Sequence, residues 1–384
     1  MPTFATQIAI LPLSISYYFH RHRAARRPLL SIQWLLFILL CLTAIYVYIT
    51  CYILINIYLF LILETTIYEF YNERLFTLPF ATQEDMHISV TDQDAFQKKI
   101  QDGKRKASQS RMVIGCTCRN IANNLPNEIV RLETIGQCFK DYRIIIYEND
   151  SSDGTRDLLL KWAGQNHRVE ILSCCEEGSC DCILRLPNLY NIGKTHDSQE
   201  RIEKMRIFRQ RVLFHAQQMY GDFDYFLVRD MDLIGAIYLD GFLTSFANDE
   251  WDMVFARGLV NTIFPILCLY DSLAYIGSHD SYNQHTGVRG FLQFQRMHTN
   301  YIRDHPIDNI WFKCRSGFNG MAVYQMRSIQ NAMYPPGYHC EHISLHVDMA
   351  KKGYDRVYMN PAMILFVQFQ GPPVLHILKD FIFK

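Results

Sequence analysis

The chain has 384 residues, 49% of them hydrophobic, with 38 basic and 38 acidic side chains. A formal net charge of zero withholds the basic footprint that nucleic-acid binding leaves, so no nucleic-acid partner is expected. The length admits one large domain with something added to it, and no internal repeat is present.

The addition stands near the N-terminus. The run "IAILPLSISYYF", Ile8 to Phe19, is too short to span a bilayer. It is followed by arginines instead of a small-residue cleavage site, which argues against a signal peptide. From Pro28 to Leu63 no residue is charged. A straight helix of that length would measure about 54 Å against a hydrocarbon core of about 30 Å. One tilted transmembrane span running on into an interfacial segment is predicted, with a tight hairpin or a buried core helix as the alternatives. Arg21, Arg23, Arg26 and Arg27 precede the span, and Glu64, Glu69 and Glu73 follow it. The basic side stays cytosolic. The expectation is a single-pass type II protein: cytosolic tail 1–27, membrane anchor 28–63, and its bulk in the ER or Golgi lumen or an equivalent non-cytosolic space. Residues 64–109 contain the polar stretch "TDQDAFQKKIQDGKRKASQSR", which offers little to bury and reads as a stem.

From residue 110 an α/β alternation begins. Strands are predicted at Met112–Cys118, Arg143–Asn149, Val169–Cys174 and at "YFLV" from Tyr225. Between them come a helix opening near Asn124 with Pro126 in its first turn, a short helix "TRDLLLKWA", and the long helix "QERIEKMRIFRQRVLFHAQQMY". In that long helix Ile202, Met205, Phe208 and Val212 share one side. Further strands are "MVFARG", "GMAVYQ" and "RVYMNP", with a helix from about Cys340 to Lys352. The alternation predicts a Rossmann-like, mainly parallel sheet flanked by helices, a single domain over 110–384.

Three D-x-D pairs occur: Asp92/Asp94, Asp222/Asp224 and Asp230/Asp232. Only the last follows directly on a hydrophobic strand, and open α/β sheets bind ligands beyond the carboxyl ends of their strands. Two carboxylates this close repel unless a cation sits between them. All-oxygen donors select Mn²⁺ or Mg²⁺ over zinc, and such an ion bridges to phosphate. A capped turn, or a salt bridge to Arg229, is the ordinary alternative. "GYHCEHISLHVD" sets His339, His342 and His346 at the spacing of one helix face, beside Glu341 and Asp348. They form a metal site of their own, complete the aspartates' coordination, or are ordinary core histidines. "CCEEGSCDC", Cys174 to Cys182, reads as a loop disulfide, with structural zinc or free thiols as alternatives.

"GCTCRNIANNLP", "YENDSSDGT", "VRDMDL", "SGFNGMAVY" and "CEHISLHVDMAKKGYDRVYMNP", taken in that order, resemble GT-A type nucleotide-sugar glycosyltransferases. Within that class the order is similar to capsule-associated α-mannosyltransferases and related viral or microbial enzymes, over about Met112 to Phe366. The resemblance implies a metal-dependent hexosyltransferase that takes a GDP- or UDP-sugar, mannose among the candidates, and a glycan or glycoconjugate acceptor. Residue by residue, it implies that Arg119 and Asn120 lie along the nucleotide and that Glu148 approaches its base or ribose. Asp153 with Gly154 would shape that turn. Asp230 and Asp232 would hold the ion on the diphosphate, with His346 as a further metal partner. Gly317, Phe318, Asn319 and Gly320 would form the loop beneath the donor sugar and acceptor. Glu341 would be a catalytic base in an inverting enzyme and a hydroxyl contact in a retaining one. The segment "SGFNGM" departs from the bulkier mannosyltransferase pattern, which leaves the donor sugar open. A nucleotidyltransferase using the same aspartates, or an inactive sugar-binding scaffold of this fold, are the competing classes. "CTCRNIANN" lacks the Gly-rich phosphate loop of the former.

Overall fold

The structure, a computed structural model, describes residues 34, 37–52, 54, 73–86, 88, 90–173, 199–261, 267–281, 306–308 and 311–369. It falls into two units, Met1–Thr66 and Ile67–Lys384. In the first, residues 37–52 are helical, and Phe37, Leu40, Leu42, Tyr46 and Tyr48 expose apolar side chains. The hydroxyls of Thr43 and Thr50 donate back to the carbonyls of Leu39 and Tyr46, which satisfies them without solvent. Among the described residues no helix is long and apolar enough to cross a membrane. The rest of the expected anchor lies outside the described residues, as does the Cys174–Cys182 cluster. Cys41, Cys51, Cys116, Cys118, Cys138, Cys314 and Cys340 are free thiols.

The second unit is built on one sheet. Strands β1 (Arg111–Cys118), β2 (Asp141–Glu148), β3 (Val169–Ser173) and β4 (Tyr225–Asp230) run parallel in the order β3-β2-β1-β4. They are joined by helices α2 (Leu125–Gln137), α3 (Thr155–Gln165) and α4 (Gln199–Tyr220). Each of these elements stands where the sequence pattern sets it, within a residue or two. The strand order reverses at β1, between β2 and β4, and the carboxyl ends there open a crevice.

Beyond β4 the sheet is mixed, which corrects the mainly parallel expectation. β5 (Leu233–Ile234), β6 (Met253–Asn261), β7 (Leu267–Leu269), β8 (Ile276–Gly277), β9 (Phe312–Ser316), β10 (Met321–Gln325) and β11 (Val357–Phe369) complete it. β10 lies antiparallel between β4 and β6, while β6 and β11 pair in parallel. The reason is connection length. Helices here shrink to about a turn, α5 (Leu239–Leu243) and α6 (Met326–Ile329), and parallel pairing needs a long crossover. Among the described residues beyond β4, only α7 (Glu341–Lys351) is again a full helix.

Period-two alternation divides each strand between two cores. Val113, Ile145, Phe226 and Val228 join Phe208 and Val212 of α4. Met112, Ile114, Ile144, Ile146 and Leu227 join Leu132 and Leu159 on the opposite face. Gly115 sits where α4 crosses β1, and a Cβ there would lie 2.8 Å from Val212.

The segment expected to be a stem belongs to the domain. Helix α1 (Gln93–Gln109) is capped by the Asp92 carboxylate, which accepts from the Ala95 amide, and it buries Phe96, Ile100 and Ala107. At Gly103 the helix comes so close to the backbone of α5 that a Cβ would lie 1.9 Å from the Leu243 carbonyl. Most of this helix is polar, yet two large apolar groups, Phe96 and Ile100, suffice to dock it. Each stabilises docking by about 1.5–3 kcal/mol. Further upstream, Leu75 is buried and its carbonyl accepts from the Ala236 amide at 2.7 Å.

Candidate active site

The carboxyl end of β4 sets the site through alternation. Phe226, Val228 and Asp230 point toward α4; Leu227 and Arg229 point toward α2. Arg229 is therefore no partner for the aspartates. It is wholly buried and donates through Nε and Nη2 to Glu128, each at 3.0 Å, and Glu128 also binds Arg131.

Asp230 meets Arg209 of α4 instead, Nη2 to Oδ1 at 2.6 Å. The same guanidinium donates through Nε to Glu341 Oε1 at 3.0 Å, so one cation joins the end of β4 to the start of α7. Arg209 is 5% exposed, lies over the Phe318 ring and leaves its Nη1 unbonded. Asp232 follows buried Met231 and precedes buried Leu233, which turns it outward as an exposed residue. Its carboxyl is raised to about 6, first by the protein packed round it and then by Asp230. Solvent at this exposed side chain offsets part of the first cause, whereas like charge at short range persists.

One acid that sequence reasoning missed adds to the negative field, beside a neutral tyrosine. Asp271, after β7, holds φ at +58° and accepts from the Ala274 amide. Burial, then Asp230 and Glu341, push its carboxyl up to about 7. Tyr270 beside it is held protonated by burial and by the field of Asp230, Asp271 and Asp232. The signal for Asp271 was a short apolar strand ending in an acid, the same pattern as at Asp230. For Arg209 it was a cation inside the apolar stripe formed by Ile202, Met205, Val212 and Ala216.

The expected nucleotide loops do approach one another. Asn120, at φ +53°, donates from its amide to Ser151 Oγ and accepts through Oδ1 from the Ser152 amide at 2.8 Å. Asp153 accepts from the Ala122 amide and from both the amide and hydroxyl of Thr155. Arg119 stands at the crevice end of β1. Glu148 corrects its expectation: it is sealed, accepts from the Ser151 amide at 2.7 Å and pairs with Arg156 at 3.2 Å. It holds the loop and cannot reach a base. Gly154, at φ +86°, precedes α3.

The loop Gly317–Gly320 is likewise buried throughout. Phe318 stacks on His342 at 3.7 Å, and the Asn319 amide donates to the Ala256 carbonyl at 2.9 Å. Gly317 packs on Phe255, and Gly320 takes φ +84°. In this structure the loop supports Arg209 from below and offers no surface to a sugar.

The histidines also depart from expectation. His339 is exposed and precedes α7. His346 is buried between Ser316 Oγ, 2.8 Å from Nδ1, and Tyr324 Oη, 2.9 Å from Nε2. Burial pushes it down to about 3. With both nitrogens engaged it is no metal partner of the aspartates. Helical spacing sets only His342 and His346 on a common face, and that face is turned to the core. Among the described residues no group of three or more His, Cys, Asp or Glu side chains is arranged to hold a metal. The donor set that fits is Asp230 with Asp232, two carboxylates for a hard ion that completes its shell with phosphate and water.

No family profile matches the chain, and no curated protein is similar to it in sequence. Solved structures that resemble it include the mannosyltransferase PcManGT from Pyrobaculum calidifontis in complex with GDP-Man and Mn²⁺, at 10% identity and TM-score 0.38 over 71% of this chain and 64% of that one. Glucosyl-3-phosphoglycerate synthase from Mycobacterium tuberculosis in complex with Mn²⁺, UDP and phosphoglyceric acid shows 12% identity and TM-score 0.37, over 73% and 78%. GalNAc-T7 with UDP, GalNAc and Mn²⁺ shows 7% and 0.37, over 71% and 47%. The chain thus spans less than two thirds of the first and third.

Proposed function

We propose that the chain is a metal-dependent glycosyltransferase that moves a hexose, mannose among the candidates, from a GDP- or UDP-sugar to a glycan or glycoconjugate. One observation carries the reading. Asp230 and Asp232 stand at the carboxyl end of β4, beside the reversal of strand order, and a buried arginine answers only the first of them. Bound there, Mn²⁺ or Mg²⁺ would neutralise charge on a diphosphate leaving group. Arg209 holds Asp230 and Glu341 at a fixed separation, so the carboxylates are positioned before any ligand arrives.

Asp271 is the better acid–base candidate. Its carboxyl titrates near neutrality, as a group that takes a proton from an acceptor hydroxyl requires. Glu341, tied to Arg209, serves position. Residues 28–63 are proposed as the membrane anchor, with the domain on the non-cytosolic side. The apolar, exposed helical run 37–52 supports this. Protease protection in sealed microsomes tests that orientation: digestion of the domain without detergent would overturn it.

The enzymatic reading is tested by incubating the protein with Mn²⁺ and a panel of UDP- and GDP-sugars. Slow release of nucleoside diphosphate from one donor is expected. Release of pyrophosphate would assign a nucleotidyltransferase, and release of neither would assign a scaffold.

A further inference from the structure

Ser316, the last residue of β9, is fully buried and pairs in register with Ile276 of β8. Its hydroxyl donates to the Ala274 carbonyl at 2.6 Å. A hydroxyl has one proton to give, and a carbonyl can only accept it. Ser316 Oγ therefore meets His346 Nδ1, 2.8 Å away, with lone pairs alone, and that ring nitrogen carries a proton. Burial keeps the imidazole neutral, which leaves Nε2 bare to accept from the Tyr324 hydroxyl at 2.9 Å. Hydrogen-bond arithmetic thus assigns the Nδ1–H tautomer. The donors point one way, from Tyr324 of β10 through His346 of α7 to Ser316 and the Ala274 carbonyl.

This row of hydrogen bonds ends on a turn. The Ala274 amide donates to Asp271 Oδ1 at 3.3 Å, and Asp271 holds φ at +58°, in the left-handed region that side chains rarely adopt. A bond of that length restrains the backbone loosely, and such a conformation persists where its surroundings fix it. Ser316 supplies the second, shorter grip, on the carbonyl of the residue whose amide Asp271 accepts. At the head of the turn, a Cβ on Gly320 would lie 3.5 Å from the Tyr270 ring, and the Gly320 carbonyl accepts from the Asp230 amide at 3.2 Å. The turn is therefore seated beside the end of β4.

We infer that Ser316 is a positioning residue for Asp271: it ties the 271–274 turn to the core, and His346 sets the direction in which its hydroxyl points. The acid–base role of Asp271 rests on the reading proposed above; the anchor itself does not. One helix then serves both sides of the site, since α7 carries Glu341 to Arg209 at its first residue and His346 to Ser316 five residues on.

The test begins with the full chain labelled with ¹⁵N-histidine, the His346 signals being assigned by their absence in His346→Ala. A neutral ring protonated at Nδ1 should persist from about pH 5.5 to about pH 8. A ring protonated at Nε2 overturns the inference. Amide hydrogen exchange over residues 271–275 should quicken about ten-fold or more in Ser316→Ala, beyond any change in the rest of the sheet. Tyr324→Phe removes a hydroxyl from the same buried row but leaves the Ser316–Ala274 bond, so these amides should exchange as in wild type. Unchanged exchange in Ser316→Ala, or equal loosening in Tyr324→Phe, makes Ser316 an ordinary core residue. On a donor that the wild type turns over, Ser316→Ala should lower kcat about ten-fold or more and leave KM within about two-fold. Unchanged kcat with a loosened turn overturns the positioning role. If the wild type turns over no donor, the glycosyltransferase reading falls, while the tautomer and the exchange rates still decide whether Ser316 anchors the turn.

Discussion

Arg229 and Asp230 are neighbours in β4, and each anchors a chain of three charges on its own face of the sheet. Toward α2, Glu128 stands between Arg131 and Arg229, and none of the three side chains reaches solvent. Toward α4, Arg209 stands between Asp230 and Glu341, whose side chains are 15% and 10% exposed. The signs are inverted. The first chain carries surplus positive charge, and the carbonyls of Leu78 and Pro79 accept from Arg131 to absorb part of it. The second carries surplus negative charge and opens on the crevice, with exposed Asp232 next to it. A sealed triad can be satisfied only from within the fold. An open one has room for a soluble cation to complete it, and on the proposed reading that difference separates structural charge from functional charge.

The largest expected effect lies on the sealed side. Glu128→Ala leaves two buried arginines facing each other and should cost about 3–5 kcal/mol in urea denaturation. Asp230→Ala should cost clearly less, because Arg209 keeps Glu341. Equal losses would break the comparison. On the open side the effect moves from stability to activity. Asp232→Asn should keep its fold and lose a factor of about 10² or more in transfer rate, about 3 kcal/mol of leaving-group stabilisation. Full activity of that variant in EDTA would make the pair a plain turn.

His346→Ala sharpens the boundary between the two regions. It strands the Tyr324 hydroxyl in the core, while Ser316 keeps its bond to the Ala274 carbonyl, and should cost about 1–3 kcal/mol. The Mn²⁺ concentration for half-maximal activity should not move. A shift there would return His346 to the metal shell.

The open region should also respond to pH in a fixed direction. Asp271 is raised to about 7 by burial, Asp230 and Glu341, and Asp232 to about 6 by burial and Asp230. Groups that bind protons more tightly when folded favour the fold at low pH, below the unfolded value near 4. That contribution is lost as pH climbs through 6 and 7. A divalent ion stabilises the ionised forms, so Mn²⁺ should raise the melting temperature more at about pH 7.5 than at about pH 5.5. An equal rise at both would detach these carboxyls from the metal.

The smallest effect belongs to the first D-x-D copy. Asp92→Ala removes the cap of α1 and should cost about 1 kcal/mol of stability. Asp92→Asn, an equally good cap, should change neither stability nor activity.

Local pattern alone determined the parallel half of the sheet. Apolar β-branched runs such as "RIIIY", separated by helices long enough for crossovers, have few other ways to bury both faces. It also determined that Asp230 ends a strand at the carboxyl edge of the sheet. What the three D-x-D copies do was decided by their surroundings. Asp92 caps α1, Asp222 and Asp224 bind the side chain and amide of Arg111, and only Asp230 faces a buried cation across the crevice. The stem reading failed because the polarity of α1 is an average, whereas docking needs only Phe96, Ile100 and a glycine at the crossing. His346 and Glu148 were misplaced for a related reason. A polar residue at a strand end or on a helix face looks the same in sequence whether it turns outward to a ligand or inward to a buried hydroxyl. Arg209 and Asp271 lie far from Asp230 along the chain or off any motif. Only the tertiary structure brings them together, because long-range electrostatic partners are chosen by how α4 packs across the sheet and not by spacing in the sequence.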